Sequence, residues 1–356
     1  MNLLMISRLK RSRKCYWENS FRNRKVTIKY RGIFMNNKCF DNAIKWIHNN
    51  TACNNGGIVV TDKQRQLYPE VTGYYIPSLI NCGETELAVS FAKYLCETQK
   101  EDGSWYDSLG NDPFIFDTGQ ILKGLVSIRN ILPEVDEHII KGINWMFSNM
   151  NSDGRLVQPN DEMWGKDKSI CNELIHIYTL SPILEAAKAF NKPDWEAKVN
   201  KILDYYIDNY HDMIVNYSMF SHFYAYVIEG LIDCGRESLA REAMVDFGKY
   251  VSENGAVCAY NDVKWVCSTA CFQFAIIWYK LKEKEKADLT YQFACSLQNP
   301  SGGWYGSYAD SKFKVFINRI KAKLKLTRGM YLVNEEISWA VKFYLDAKYL
   351  KDNYNV

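Results

Sequence analysis

LINCGETELA, residues 79–88, returns in near copy as LIDCGRESLA, residues 231–240, with six of ten positions identical at an offset of 152. Extended without gaps, the offset pairs Glu70 with His222, Tyr74 with Tyr226, and Gly103 of QKEDGSW with Gly255 of SENGAV. A register held over more than thirty residues is a duplication, and the duplicated piece is itself composite. The same glycine-centred turn recurs in NNGGIV (Gly57), NSDGRL (Gly154) and NPSGGW (Gly302), spacing the series at 46, 51, 101 and 47 residues. The double interval predicts another turn near residue 205, and NYHDMI, residues 209–214, is its best occupant although it lacks the glycine. Six units of about 50 residues follow, and 152 is three of them.

Each unit reads as two helices. Before each turn lies an amphipathic segment such as TELAVSFAKYLCETQ, with apolar residues three and four apart and charges between them. After each turn lies a more apolar, aromatic-rich segment such as SHFYAYVIEGLIDCG or ISWAVKFYLDAKYL. A helix polar on one side faces water, and one apolar nearly all round is enclosed by neighbours. The chain is therefore expected to be all-α, a closed (α/α)6 toroid of six inner and six outer helices. Its expected divisions are a basic N-terminal arm, 1–34, and one toroid domain, 35–356, with a basic insertion at 308–334.

Net charge is only +3, but residues 1–34 hold ten Lys/Arg against the single acid Glu18. Lys312 to Arg328 adds seven basic residues and no acid. These are either solvated segments or attractions to an anionic partner, a charged glycan or the inner membrane surface, with the arm giving peripheral membrane association. Nucleic acid is not expected, because neither run is interleaved with stacking aromatics. Eleven cysteines without a CxxC pair read as reduced, buried thiols of a cytoplasmic protein. No segment is apolar enough to span a bilayer, and MNLLMI is too short for a signal peptide. GxGxxG, GxxxxGK[ST], HExxH and GxSxG motifs are absent, so no cofactor and no metal are expected.

QKEDGSW and LQNPSGGW resemble the Q-x(2–5)-G-x-W turns of the squalene cyclase and prenyltransferase toroids, and FDTGQ, 116–120, is similar to their W-D-T-A helix starts. The succession TGYYIPSL, FDTGQILKGL, SHFYAYVIEGL and EISWAVKFYLDA resembles α/α-toroid proteins of bacterial surface-polysaccharide (O-antigen or capsule) loci. The resemblance covers roughly residues 40–350 and implies the fold and a pathway, not a reaction. The D-x-D-D acid of the cyclases and the zinc set of the prenyltransferases are missing. A terpene cyclase-like activity is accordingly the third choice.

Alternation makes the inner helices parallel, so their positively polarised N-termini gather at one mouth. Aligned on their Gly-Leu or Leu-Ile steps, they bring Tyr74, Gln120, Tyr226 and Gln273 to one level, with Leu180 the exception, and Glu70, His176, His222 and Thr269 one turn earlier. Repeated Tyr or Gln at a core position is costly unless those groups are hydrogen-bonded or wet. The candidate catalytic residues are His222, Tyr226, His176, Asp117, Glu70 and Glu336, and the candidate sugar contacts are Tyr74, Tyr75, Gln120, Gln273 and Trp265. A His/Tyr pair suits proton abstraction beside a uronate carboxyl, in lyase or epimerase chemistry, and paired acids suit glycoside hydrolysis. Each has a structural competitor: core histidines, inter-helix struts, an N-cap for Asp117, and for Glu336 a cap or a pairing with the basic run. The function expected is a carbohydrate-active protein acting on an anionic or lipid-linked carbohydrate in surface-polysaccharide synthesis. The alternative is a non-catalytic glycan-binding or scaffolding subunit.

Overall fold

The duplication is repeated in space. In the computed structural model, which describes residues 32–52, 56–159, 171–309 and 311–354, outer α1 (Gly32–Asn50) is followed by inner α2 (Pro69–Asn81). Outer α3 (Thr85–Thr98), inner α4 (Ile115–Ile128) and outer α5 (Val135–Ser148) come next. The third inner rod is broken into α6 (Cys171–Leu174), a 3-10 turn over Ile175–Thr179, and α7 (Ser181–Ala189). Outer α8 (Pro193–Val215), inner α9 (Ser221–Asp233), outer α10 (Glu237–Phe247), inner α11 (Ser268–Lys280) and outer α12 (Lys284–Cys295) continue the alternation. Insertion helix α13 (Lys312–Lys323) precedes the last inner helix, α14 (Ser338–Asp352). Both ends of α9 lie 152 residues after those of α2, and α10 starts 152 residues after α3.

Each inner rod packs on the next, and α14 packs back on α2, which closes the ring. Burial follows the pattern of the sequence. Every residue of α11 from Ser268 to Tyr279 is buried, whereas outer α3 buries only Ala88, Phe91, Ala92 and Leu95.

The turns explain the glycines. Gly103, Gly154, Gly255 and Gly302 all have φ between +86° and +108°, where a side chain is strained. Each also abuts the next outer helix: a Cβ on Gly103 would fall 2.4 Å from Lys141 O of α5, and one on Gly302 2.1 Å from Asn42 O of α1. The glutamines of the same motif clasp that contact. Gln99 Nε2 donates to Gly103 O and His138 O at 3.0 and 2.9 Å, and Gln298 Nε2 to Gly302 O and Cys39 O, both at 2.9 Å. Trp105 and Trp304 donate their indole N–H groups to Leu95 O and Ala294 O of the preceding outer helices. The last of these turns thus lands on α1, and the toroid is sealed by the device that joins its other units.

Three expectations are corrected. NYHDMI is not a turn: it lies within α8, which bends at Tyr210 (φ −131°, ψ 21°) and runs on to Val215, so the reversal falls at 216–220. At the first turn it is Gly56, φ +64°, and not Gly57, that takes the left-handed conformation. Seven described cysteines are free thiols, but Cys258 is disulfide-bonded, so the set is not uniformly reduced. Of the arm, residues 1–31 lie outside the described residues, and α1 begins at Gly32. Among the described residues no helix is long and apolar enough to cross a membrane.

Candidate functional site at the axial mouth

Counted from the first residue of each inner helix, Tyr74, Gln120, Tyr226, Gln273 and Phe343 are all sixth, and Glu70, Phe116, His222, Thr269 and Trp339 are all second. Equal counts on parallel rods put these side chains in two layers around the axis. Tyr226 is the hub, with ring centroids of His222 and Tyr178 at 4.7 Å, Phe116 at 4.9 Å and Phe343 at 5.9 Å. Tyr74 reaches the same Phe343 at 6.0 Å, and Lys342 Nζ lies 3.9 Å from the Phe343 centroid and 4.8 Å from that of Tyr74.

Electrostatics divides the group into acids and a base. Burial, and then the charge of Asp117, raise Glu70 well above the usual carboxylate range, with Lys342 opposing. Burial and the charge of Asp107 push Asp117 up to about 8, the nearby Tyr68 hydroxyl pulling the other way. Two neighbouring buried carboxyls that resist ionisation hold at least one proton at neutral pH. His222 goes in the opposite direction. Burial lowers its pKa to about 4 although the bond to Gln273 favours the cation, and Lys342 adds to the fall. Its Nδ1 lies 2.7 Å from Gln273 Oε1. A neutral ring so placed donates from Nδ1 and keeps the Nε2 lone pair as its basic site, a tautomer assigned from that partner.

Around these groups stand polar atoms that burial makes expensive. Among the described residues, Asp117 Oδ2, both amide atoms of Gln120, Gln273 Nε2, Thr269 Oγ1 and the indole nitrogens of Trp265 and Trp339 find no hydrogen-bond partner. Left unpaired, each such group would cost about 1–3 kcal/mol. N-capping does not account for Asp117, because the cap position of α4 is Phe114 and the side chain that bonds the helix start is that of Gln158, whose Oε1 accepts from Ile115 N at 3.0 Å.

Several sequence candidates stand elsewhere. His176 turns outward, its Nδ1 3.1 Å from Tyr206 Oη of α8, and the broken third rod brings Tyr178 to the hub instead. Glu336 precedes α14 and is held by Trp46 Nε1 at 2.7 Å, Asn299 Nδ2 at 2.8 Å and the Ser301 hydroxyl, so its carboxylate bolts the ring closure and does not pair with the basic run. Tyr75 donates to Ser338 O at 2.6 Å, tying α2 to α14. Trp265 lies in an aromatic layer with Phe220 and Tyr260, and Tyr331 adds to that layer 5.3 Å from Phe220. No candidate is more than 5% exposed, so this layer closes the mouth.

Lys342, Tyr178 and Phe343 belong to the site and are absent from the sequence-based set. A lysine inside the apolar run ISWAVKFYLDA was a readable anomaly, as was Phe343 in sixth place. Tyr178 was hidden by the irregular third unit. Deeper along the axis, Lys280 Nζ binds Glu229 at 2.8 Å and Asp233 at 2.6 Å near the far ends of α9 and α11, and Lys342 Nζ reaches down α14 to Asp346 at 2.7 Å, all part-buried ion pairs. No trio of His, Cys, Asp or Glu among the described residues is disposed to hold a metal. A groove of about 510 Å³ along α8, lined by residues including Asp153, Lys201, Asp204 and Asp208, lies on the outside of the ring.

Comparison with known proteins supplies the frame. A family model described as the squalene-hopene cyclase C-terminal domain matches residues 70–170. The fold is an (α/α)6 toroid. No curated protein matches the chain in sequence. An unsaturated glucuronyl hydrolase specific for heparin superposes with a TM-score of 0.67 at 12% identity, over 90% of this chain and 98% of its own. D-mannose isomerase gives 0.66 at 9%, over 90% and 97%. The type II terpene cyclase MstE from Scytonema gives 0.56 at 10%, over 90% and 99%. At such identities the likeness is one of fold.

Proposed function

We propose that this toroid is a carbohydrate-active enzyme working by acid–base chemistry at the axial mouth. The observation that carries the proposal is the packing of His222 against Tyr226 at 4.7 Å, its Nδ1 held by Gln273 Oε1 at 2.7 Å, in the same axial layers as the buried carboxyls Glu70 and Asp117, whose ionisation burial opposes. His222 takes a proton from the carbon beside a substrate carbonyl or carboxyl, and the Asp117/Glu70 pair gives one to the oxygen that gains charge. Gln120, Gln273 and Thr269 supply hydrogen bonds to hydroxyl groups, and Tyr74 and Tyr226 present ring faces to the sugar. Superposable folds that act on a glucuronyl glycan and on D-mannose support this class of substrate. The substrate we assign is anionic, a uronate-type or lipid-linked glycan of surface-polysaccharide synthesis. The five full-length inner helices point their N-termini at the mouth, and a protonated carboxyl pair leaves those ends without a full counter-charge. Entry requires the aromatic layer with Tyr331 to move.

Incubation of the protein with uronate oligosaccharides in heavy water tests the assignment. Wild type incorporates solvent deuterium beside the carboxyl or cleaves the chain, and His222→Gln slows this by roughly 10²–10⁴. Equal rates in the two proteins refute it. The alternative is a non-catalytic glycan-binding or scaffolding subunit, favoured by burial of every candidate to 5% exposure or less. It is the correct one if calorimetry detects glycan binding while no substrate hydrogen exchanges and no bond breaks.

A further inference from the structure

Insertion helix α13 is built unlike the twelve rods of the ring. None of its described side chains is buried. Phe313 is 70% exposed, Phe316 58%, Ile320 41% and, at the C-cap, Leu324 63%. At about 100° per residue these four fall within an arc of about 80° on one side of the helix. Lys314 and Lys321 project along one edge of that stripe, and Arg319 and Lys323 along the other. Leu326, 71% exposed, extends the apolar surface past the helix end. Scattered apolar residues on a surface need no explanation, but a continuous stripe with two phenylalanines does.

We propose that α13 is a membrane-docking element that lies in the headgroup region of an anionic bilayer. The occupant follows from charge. From Lys312 to Arg328 the chain carries seven basic residues and no acid; Arg328 is taken up by Asp262 at 3.2 Å, and those of α13 flank an apolar face that complements acyl chains below and phosphate groups at the sides. A second protein would need acidic residues at both borders of an apolar groove, and a second copy of this chain would bring two like-charged helices together. The segment that follows α13 delivers Tyr331 to the aromatic layer, 5.3 Å from Phe220 and 6.3 Å from Trp339. A bilayer holding α13 therefore lies beside the mouth of the toroid. Docking stands independently of the sugar chemistry, and its test reads lipid and not turnover.

The full chain is floated with vesicles of phosphatidylcholine alone and with vesicles containing phosphatidylglycerol. Wild type partitions onto the anionic vesicles, and less so as salt rises. Phe313→Ser combined with Phe316→Ser lowers the partition coefficient roughly 100-fold, while the unfolding midpoint stays, because both rings are exposed. Lys321→Glu with Lys323→Glu weakens binding to the anionic vesicles and leaves the weak phosphatidylcholine signal unchanged. Failure of wild type to float overturns the proposal, as does equal binding by the double-serine chain. So does a double-serine chain whose particle mass in solution falls while lipid binding is unaltered, since the stripe would then be a contact between copies.

Discussion

Replacing Gly302 with alanine tests how the ring is closed. Gly302 has φ +104°, and a Cβ there would stand 2.1 Å from the carbonyl oxygen of Asn42 in α1. Ordinary contact begins at about 3.4 Å, so the turn and α1 must part by more than 1 Å, and backbone cannot yield as a flexible side chain does. Two costs follow. The left-handed conformation alone costs an alanine about 1–2 kcal/mol. Separation also strains both bonds of Gln298, to Cys39 O and Gly302 O at 2.9 Å, and the adjacent Trp46–Glu336 bond at 2.7 Å, each worth about 1 kcal/mol. The expected loss is roughly 4–5 kcal/mol. Gly83 is the control, with φ +90° and nothing within 4 Å of its Cβ direction; its alanine variant pays the conformational part only. Urea unfolding of the two variants against wild type gives the comparison. If Gly302→Ala and Gly83→Ala lose the same stability, the close approach is irrelevant and closure through the last turn is wrong.

Other consequences follow from the axial group. His222 has its pKa lowered from 6.5 to about 4, so its neutral form contributes about 3 kcal/mol that is complete above pH 6.5 and lost as pH falls toward 4; His222→Gln should remove that part of the acid slope in urea titrations at pH 7 and 4.5. Asp117 is raised from 3.8 to about 8, so wild type loses stability as pH rises through that interval. Asp117→Asn should gain on wild type by up to roughly 5 kcal/mol between pH 4 and pH 9, and a constant difference contradicts the protonated carboxyl. Lys280→Met leaves the buried Glu229 without its cation, while Asp233 keeps Lys123 at 4.0 Å, and should cost about 3 kcal/mol by thermal unfolding.

The fold was legible because packing is periodic. Turn glycines at nearly equal intervals and helices polar on one side or on none expose the unit, and the 152-residue copy fixes the register to the residue. What escaped was local. NYHDMI has the polar look of a turn, but its apolar Met213 and Ile214 pack inward and extend α8 past a bend. At the site, spacing brought Glu70, Tyr74, Asp117, Gln120, His222, Tyr226 and Gln273 together, since a count along parallel rods is a height along an axis. It failed for His176, where a 3-10 turn alters both rise and rotation, and for Glu336, which belongs to the connection and not to a rod. Direction around a broken helix is not contained in sequence spacing.

The first unit of each half keeps its inner helix end for end, α2 against α9, and the halves differ where they face the axis. Position two is Glu70 in α2 and His222 in α9, and position three is Asp117 in α4 and Ala270 in α11. Core positions cannot change freely, because a methylene gained or lost is felt through the packing. Axial side chains end against one another at the centre and are held less tightly by either half. Divergence there has gathered the acids on α2 and α4 and the imidazole with its orienting amide on α9 and α11, with Tyr226 between. If this separation carries the chemistry, exchanging Glu70 and His222 in a double variant should preserve the fold, since each enters a site of equal rank, and should abolish proton transfer. The imidazole would then sit beside Asp117 and take up the proton that carboxyl retains, and its base form would be lost.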